Sequence, residues 1–291
     1  MAIFFQNVIA GLETGSLYAL AALGLVLIFR TSDVVNFAQG EMAMFSAFIS
    51  FTLFDSFGFS YYLAVLGALV FALIFGFLVE RIFIRPASNA SLVSKMIITL
   101  GLIMIIGGLA SAIFGIDSYY FRRAIDVDNI KVSGVVIQPN AIFIIALTMI
   151  ITGILFYIIN KTKLGIAIRA TAQNEITARL MGIPVFKVYS FAWITATLLG
   201  ALAGILIAPT TNVSTTMMGE VHLKSFIAAV LGGFGSFYGP VLGGLIIGVL
   251  DNLVGMYISL AWKTVIVYGL LIVILILKPT GLFGKTHRKK V

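Results

Sequence analysis

Apolar residues run with little interruption over residues 3–29, 34–54, 61–83, 96–115, 137–160, 189–208, 221–258 and 262–277. All but one of these runs suit a single bilayer-crossing helix of about 20 residues. Backbone polar groups in hydrocarbon must be satisfied within their own segment, so the runs predict α-helices and the chain reads as an all-α, polytopic transmembrane bundle. The exception, 221–258, is too long for one crossing even when tilted. Its centre reads LGGFGSFYGPVLGG, where Gly235, Ser236, Gly239 and Pro240 interrupt a helix. This predicts a short or broken span near 221–240, beside a pathway where irregular backbone is tolerated. A re-entrant hairpin is the competing reading.

Composition leaves no room for a second domain: the 291 residues are 60% hydrophobic and 10% charged, with a mean hydropathy of +1.12. We therefore treat 1–291 as one transmembrane domain with a polar loop at 161–188. The first run lacks a basic leader and a small-residue cleavage site and reads as a retained span. The absence of cysteine excludes disulfides, thiolate metal sites and cysteine nucleophiles. His222 and His287 lie far apart with no acidic ligand pattern beside them, so no metal is expected. The net charge of +8 sits at span ends and in the tail, a topology signal rather than a face for nucleic acid.

Charge bias then sets the number of crossings. If 221–258 crosses once, the 19 Lys and Arg divide almost evenly, 10 to 9. If it crosses twice, one side collects 14 of them and leaves Arg122, Arg123, Lys131, Lys224 and Lys263 on the other. Insertion bias favours the second arrangement. The expectation is about nine crossings (eight to ten) in a cell membrane, inner or plasma, with the amino terminus outside and the carboxyl terminus cytoplasmic.

The loop 161–188 holds Lys161, Lys163, Arg169, Arg179 and Lys187 against the single acid Glu175. Within it Asn174 can cap a helix, Glu175 suits its first turn, and Gly182 followed by Pro184 closes it, giving about two turns over 175–181. Asn174, Ala178 and Gly182 share one small face, while Ile176, Leu180 and Met181 project elsewhere. A helix this short takes its stability from packing. It either docks through its small face on a partner, whose carboxylates Arg169 and Arg179 could pair, or folds back on its own bundle.

Ionisable and polar groups at membrane depth are costly and become candidates by that fact. Asn36, Gln39 and Glu41 stand at the start of the second run and can hold a non-helical turn or line a pathway. Glu13 lies between Gly11 and Gly15, and we favour a structural role for it. Ser236 occupies the broken stretch. Asp251 and Asn252 lie on a helix where Gly244, Gly248, Asn252 and Gly255 make a small, polar face, suited to close helix packing with pathway lining as the alternative.

Four stretches carry a family resemblance: SLYALAALGLVLIFRTSDVVNFAQGEMAM (16–44), TKLGIAIRATAQNEITARLMGIPV (162–185), AAVLGGFGSFYGPVLGGLIIGVLDN (228–252) and KPTGLFG (278–284). Together they resemble the permease subunits of branched-chain amino acid ABC importers. The resemblance implies that Arg169, Ala170, Asn174, Glu175, Ala178, Leu180, Met181 and Gly182 contact a peripheral ATPase. It also implies a second, related permease, two ATPase subunits carrying ATP and Mg, and an external solute-binding protein, with no cofactor in this chain. No G-x-x-x-x-G-K-[ST] occurs, so an ATP-driven engine has to be another chain. Urea or short-chain amides are the nearest alternative cargo. An ion-coupled transporter or channel using Glu13, Glu41 or Asp251 is the alternative of another class. No nucleophile elbow or carboxylate pair suggests an enzyme.

Overall fold

The computed structural model describes residues 1–132, 134–278 and 280–284. The basic tail at 285–291, with His287, lies outside the described residues, as do Ser133 and Pro279. The predicted runs become helices α1 (Ala2–Ser32), α2 (Gln39–Asp55), α3 (Tyr61–Val79), α4 (Leu92–Phe114), α5 (Pro139–Lys161), α8 (Val185–Thr211), α9 (Gly219–Gly232), α10 (Gly239–Tyr257) and α11 (Lys263–Leu277). The long run divides into α9 and α10 at the glycine-rich break, as its composition predicts. Among the described residues, six helices, α1, α3 continued to Ile84, α4, α5, α8 and α10, are long and apolar enough to cross a membrane; α11 is a shorter apolar helix. The strands β1 (Ile130–Val132) and β2 (Val135–Ile137) form a small antiparallel hairpin that the all-α reading did not include.

The polar loop is more ordered than expected. It forms an elbow of two helices, α6 (Lys163–Gln173) and α7 (Glu175–Leu180). The missed α6 has a local signal: the Thr162 hydroxyl accepts from the Gly165 N–H at 3.2 Å, a side-chain N-cap.

Two helices form the hub. α1 and α8 are mostly buried, whereas α3, α4 and α5 expose most of their apolar surface, as lipid-facing helices do. α1 packs most closely on α10, running antiparallel. A Cβ at Gly248 would come within 2.3 Å of Gly15 Cα, and one at Gly11 within 2.6 Å of Val249 Cα. Such backbone proximity supplies dispersion contacts in lipid, where apolar burial alone gives little drive.

The bundle has two distinguishable ends. Arg30 from α1, Asn160 from α5, residues 235–238 between α9 and α10, and Phe283 of the tail surround one cavity at the elbow end. The Leu282 N–H donates to Leu231 O at 2.7 Å, fixing the tail there. At the opposite, hairpin end Tyr119 and Val213 exchange backbone hydrogen bonds of 2.9 and 2.8 Å. The Ile125 N–H there donates to Asn140 Oδ1 at 3.3 Å.

α2 and α9 do not begin at the bundle surface. Residues 33–38 fold back so that the Gln39 Nε2 amide donates to Ala21 O at 2.8 Å, about three turns before α1 ends. Gly40, in the first turn of α2, packs against His222, in the first turn of α9. The starts of two short helices therefore meet inside the bundle.

Candidate functional site

At the elbow end, α7 is built as its sequence predicts. Asn174 Oδ1 accepts from the Thr177 N–H at 2.9 Å, and Gly182 closes the turn at φ 78, a left-handed conformation that glycine adopts without steric cost. The sequence left two readings of the small face. Ala178 is buried against Val185 and Tyr189 of α8, with Ala170 and Ile183 beside it, so this part of the small face folds back on the chain itself. Ile176, Leu180 and Met181 project outward, 73%, 82% and 77% exposed. The helical period alone could not choose between faces, since it gives their relative angle and not the position of the bundle.

The arginines of the elbow each make a contact inside the chain. Arg179 pairs with Glu175 one turn earlier at 2.5 Å and stacks over Phe186, 4.9 Å from the ring centre. Arg169 turns inward and donates to the Ile159 carbonyl at the end of α5. Each thus has one polar contact within the chain and further donors to spare.

A second polar unit braces this end. Residues 80–84 continue α3 as a π-helical turn, and fully buried Glu80 receives Arg85 through two hydrogen bonds of 3.0 and 2.7 Å. Ser190 of α8 donates to the same carboxylate at 2.9 Å. Arg85 also stacks over Phe186 at 5.3 Å, so the end of α3, the start of α8 and α7 share one aromatic ring. Neither Glu80 nor Ser190 carries a local sequence signal; the (i, i+5) spacing of Glu80 and Arg85 becomes a pair through the π turn.

Inside the bundle, the candidates at the start of α2 hold its irregular turn. Asn36 Oδ1 accepts from the Ala38 N–H at 3.1 Å, and Gln39 bonds to α1 as above. Gln39 Oε1 and His222 Nδ1, on the two helices that meet there, are buried polar atoms without a partner among the described residues. Glu41 faces α4, with its carboxylate 3.7 Å from where a Cβ on Gly107 would stand. Glu13 lies toward Asn140 and Arg123 near the hairpin end. Ser236 Oγ accepts from the N–H groups of Tyr238 and Gly239 at 3.3 and 3.2 Å, capping the start of α10.

Asp251 has partners that the sequence analysis did not assign. Its Oδ2 accepts from Lys224 Nζ of α9 at 2.8 Å and from Lys263 Nζ of α11 at 2.7 Å. Lys224 is also paired with Glu220. Lys224 and Asp251 are both 1% exposed. The two lysines counted as outer-loop charges are therefore partners of an internal acid, which satisfies a buried charge that would otherwise be costly. Asn252 Nδ2 donates to Thr14 Oγ1 of α1 at 3.1 Å, and Gly244 and Gly248 of the same face pack on α1, while Asp251, Asn252 and Gly255 border a small pocket.

A helical bundle with long, lipid-exposed apolar helices, helix starts inside it and a projecting two-helix elbow defines a multi-pass membrane protein. Residues 7–275 match the family described as branched-chain amino acid transport system / permease component, and the chain belongs to that family. It is 28% identical to the high-affinity branched-chain amino acid transport system permease protein LivH of Salmonella typhimurium, with 99% of this chain and 98% of that protein aligned. It is 30% identical to the permease protein BraD of Pseudomonas aeruginosa over 99% and 98%. It is 32% identical to a probable LivH of Methanocaldococcus jannaschii over 94% and 90%. No solved structure matches it. The chain is a transport component and not an enzyme.

Proposed function

We propose that the chain is the membrane permease subunit of an ATP-driven importer that moves leucine, isoleucine, valine or close relatives. An external solute-binding protein delivers the cargo. The observation carrying the coupling part is the elbow, whose outer face is apolar at Ile176, Leu180 and Met181 and whose inner face is anchored on α8. An ATPase subunit seated on that outer face would move α7, and the Phe186 contacts of Arg179 and Arg85 would pass the motion to α8 and α3. ATP and Mg belong to the two ATPase subunits, and a second, related permease completes the pathway.

We read the chain as crossing nine times, amino terminus outside and carboxyl terminus in the cytoplasm. The meeting of residues 233–238, the tail and the elbow at one end supports this, together with the Lys and Arg bias. The junction of α2 and α9 is the proposed place where the solute passes. Helix starts favour a carboxylate, and the unpartnered Gln39 oxygen offers an acceptor for an ammonium group.

Reconstitution tests the function. The permease pair with its ATPase subunits in proteoliposomes should take up labelled leucine only when the binding protein is outside and ATP is available to the ATPase. Uptake that persists without ATP and collapses with an ion gradient would refute the importer reading. Loss of leucine transport with retained urea or amide transport would overturn the cargo.

A further inference from the structure

The cavity at the elbow end, about 350 Å³ in volume, is walled by α1, α5, α6, the segment joining α9 to α10, and the tail. Two guanidinium groups face it, Arg30 and Arg169, and no Asp or Glu lines it. Among the described residues, neither arginine belongs to an ion pair. Arg30 stacks 4.2 Å over the centre of the Phe237 ring, which orients the group without neutralising it. Arg169 spends one donor on the Ile159 carbonyl and keeps the others. Arginine offers five N–H donors in a planar fork and no acceptor.

The remaining polar lining consists of neutral groups placed by the fold. The Asn160 amide donates to the Tyr238 hydroxyl at 2.9 Å. Ser236 accepts from the N–H groups of Tyr238 and Gly239, which fixes the segment entering α10 beside the two arginines. A volume of this size is in the range of small-ligand sites, and paired guanidinium forks match the geometry of a phosphate. The rim is exposed and partly apolar: Asn160 and Tyr238 are exposed, and Tyr157 of α5 and Leu242 of α10 present apolar surface, 65% and 41% exposed.

We propose that this cavity binds a phosphate group, either free inorganic phosphate or the headgroup of an anionic phospholipid, between Arg30 and Arg169. The bound anion ties α6 to α1 and to the segment leading into α10. Since α6 runs into α7 through Asn174, occupancy stiffens the arm that carries the outer face of the elbow. That last consequence rests on the coupling reading; the binding does not.

The test uses the full chain in nanodiscs without ATPase, so failure here is separate from failure of the importer reading. Thermal unfolding is followed in pure phosphatidylcholine discs as inorganic phosphate replaces chloride at constant ionic strength, and in discs containing phosphatidylglycerol without phosphate. A rise in Tm with phosphate identifies the free ion, and a rise only with phosphatidylglycerol identifies the headgroup. Arg30→Gln and Arg169→Gln should each weaken the apparent affinity about tenfold or more, the loss expected of a charge-assisted hydrogen bond. Gln173→Glu, which keeps both arginines and adds a negative charge at the exposed rim, should abolish the effect in a folded chain. No rise with either probe overturns the site, as does an equal rise in wild type and Gln173→Glu.

Discussion

Replacing Asp251 with leucine removes the one carboxylate shared by Lys224 and Lys263. Lys224 is 1% exposed and sits in a helix that starts inside the bundle, so its ammonium group would keep only Glu220, whose side chain is 63% exposed. Breaking a buried pair from one side costs about 3–5 kcal/mol, chiefly through the charge left behind. Lys224→Met should cost less, because Asp251 retains Lys263. Lys263→Met should cost about 1 kcal/mol or less, since that side chain is 26% exposed and such partly hydrated pairs contribute little. The double variant Lys224→Met with Asp251→Leu removes both buried charges, while Glu220 and Lys263 can rehydrate. It should recover to within about 1–2 kcal/mol of the parent, as apolar replacement of a buried pair is often close to neutral. Unfolding in mixed micelles, followed by the fluorescence of buried Trp193, gives each value; Trp262 is exposed and adds a constant background. If the double variant is destabilised by the sum of the single losses, Lys224 and Asp251 are not energetically coupled and the reasoning fails.

Three further outcomes follow from the geometry. Gly248→Val should prevent assembly of α1 on α10, because its Cβ would meet Gly15 at 2.3 Å, whereas Gly153→Ala, where nothing lies within 4 Å, should be neutral; the yield of monodisperse protein distinguishes them. Exchanging Ile176, Leu180 and Met181 together for serine should leave Tm nearly unchanged while reducing copurification of the ATPase, and Ala178→Leu should instead lower Tm by crowding Tyr189 and Val185. Undiminished ATPase recovery with the triple serine variant would remove the outer face from the coupling role. Burial pushes the Asp33 carboxyl above the ordinary range, with Lys95 partly opposing and Glu175 adding to the shift. A raised folded pKa means the folded chain holds that proton more tightly, so the penalty appears as pH rises past the unfolded value near 4 and is complete above the folded one. Asp33→Asn, which tolerates the left-handed φ of 54 at this position, should raise Tm at pH 7 and lose that advantage below about pH 4; an equal gain at both pH values would refute the argument.

Much of the architecture was legible because a bilayer imposes simple rules. Apolar run lengths located the helices to within a few residues, and the glycine-rich break separated α9 from α10. Asn174 and Gly182 marked the ends of α7. The losses came where a side chain's meaning depends on a neighbour distant in sequence. Lys224 and Lys263 read as loop charges until α9 and α11 brought them to Asp251. Glu80 carried no local signal, and its role emerged only when Ser190 and Arg85 closed on it. Arg169 looked free to leave the bundle until α6 turned it toward α5.

By itself, then, the sequence determined the class of protein, the helical runs, the capped elbow helix and the family, because hydropathy, caps and motifs are local quantities. The tertiary structure decided which face of α7 is outward, which charges are paired, that α2 and α9 start inside the bundle, and that two arginines from separate helices share one cavity. Those features depend on how helices are rotated about their axes and how far the segments between them fold back. Both are set by the packing of the whole bundle rather than by any one segment.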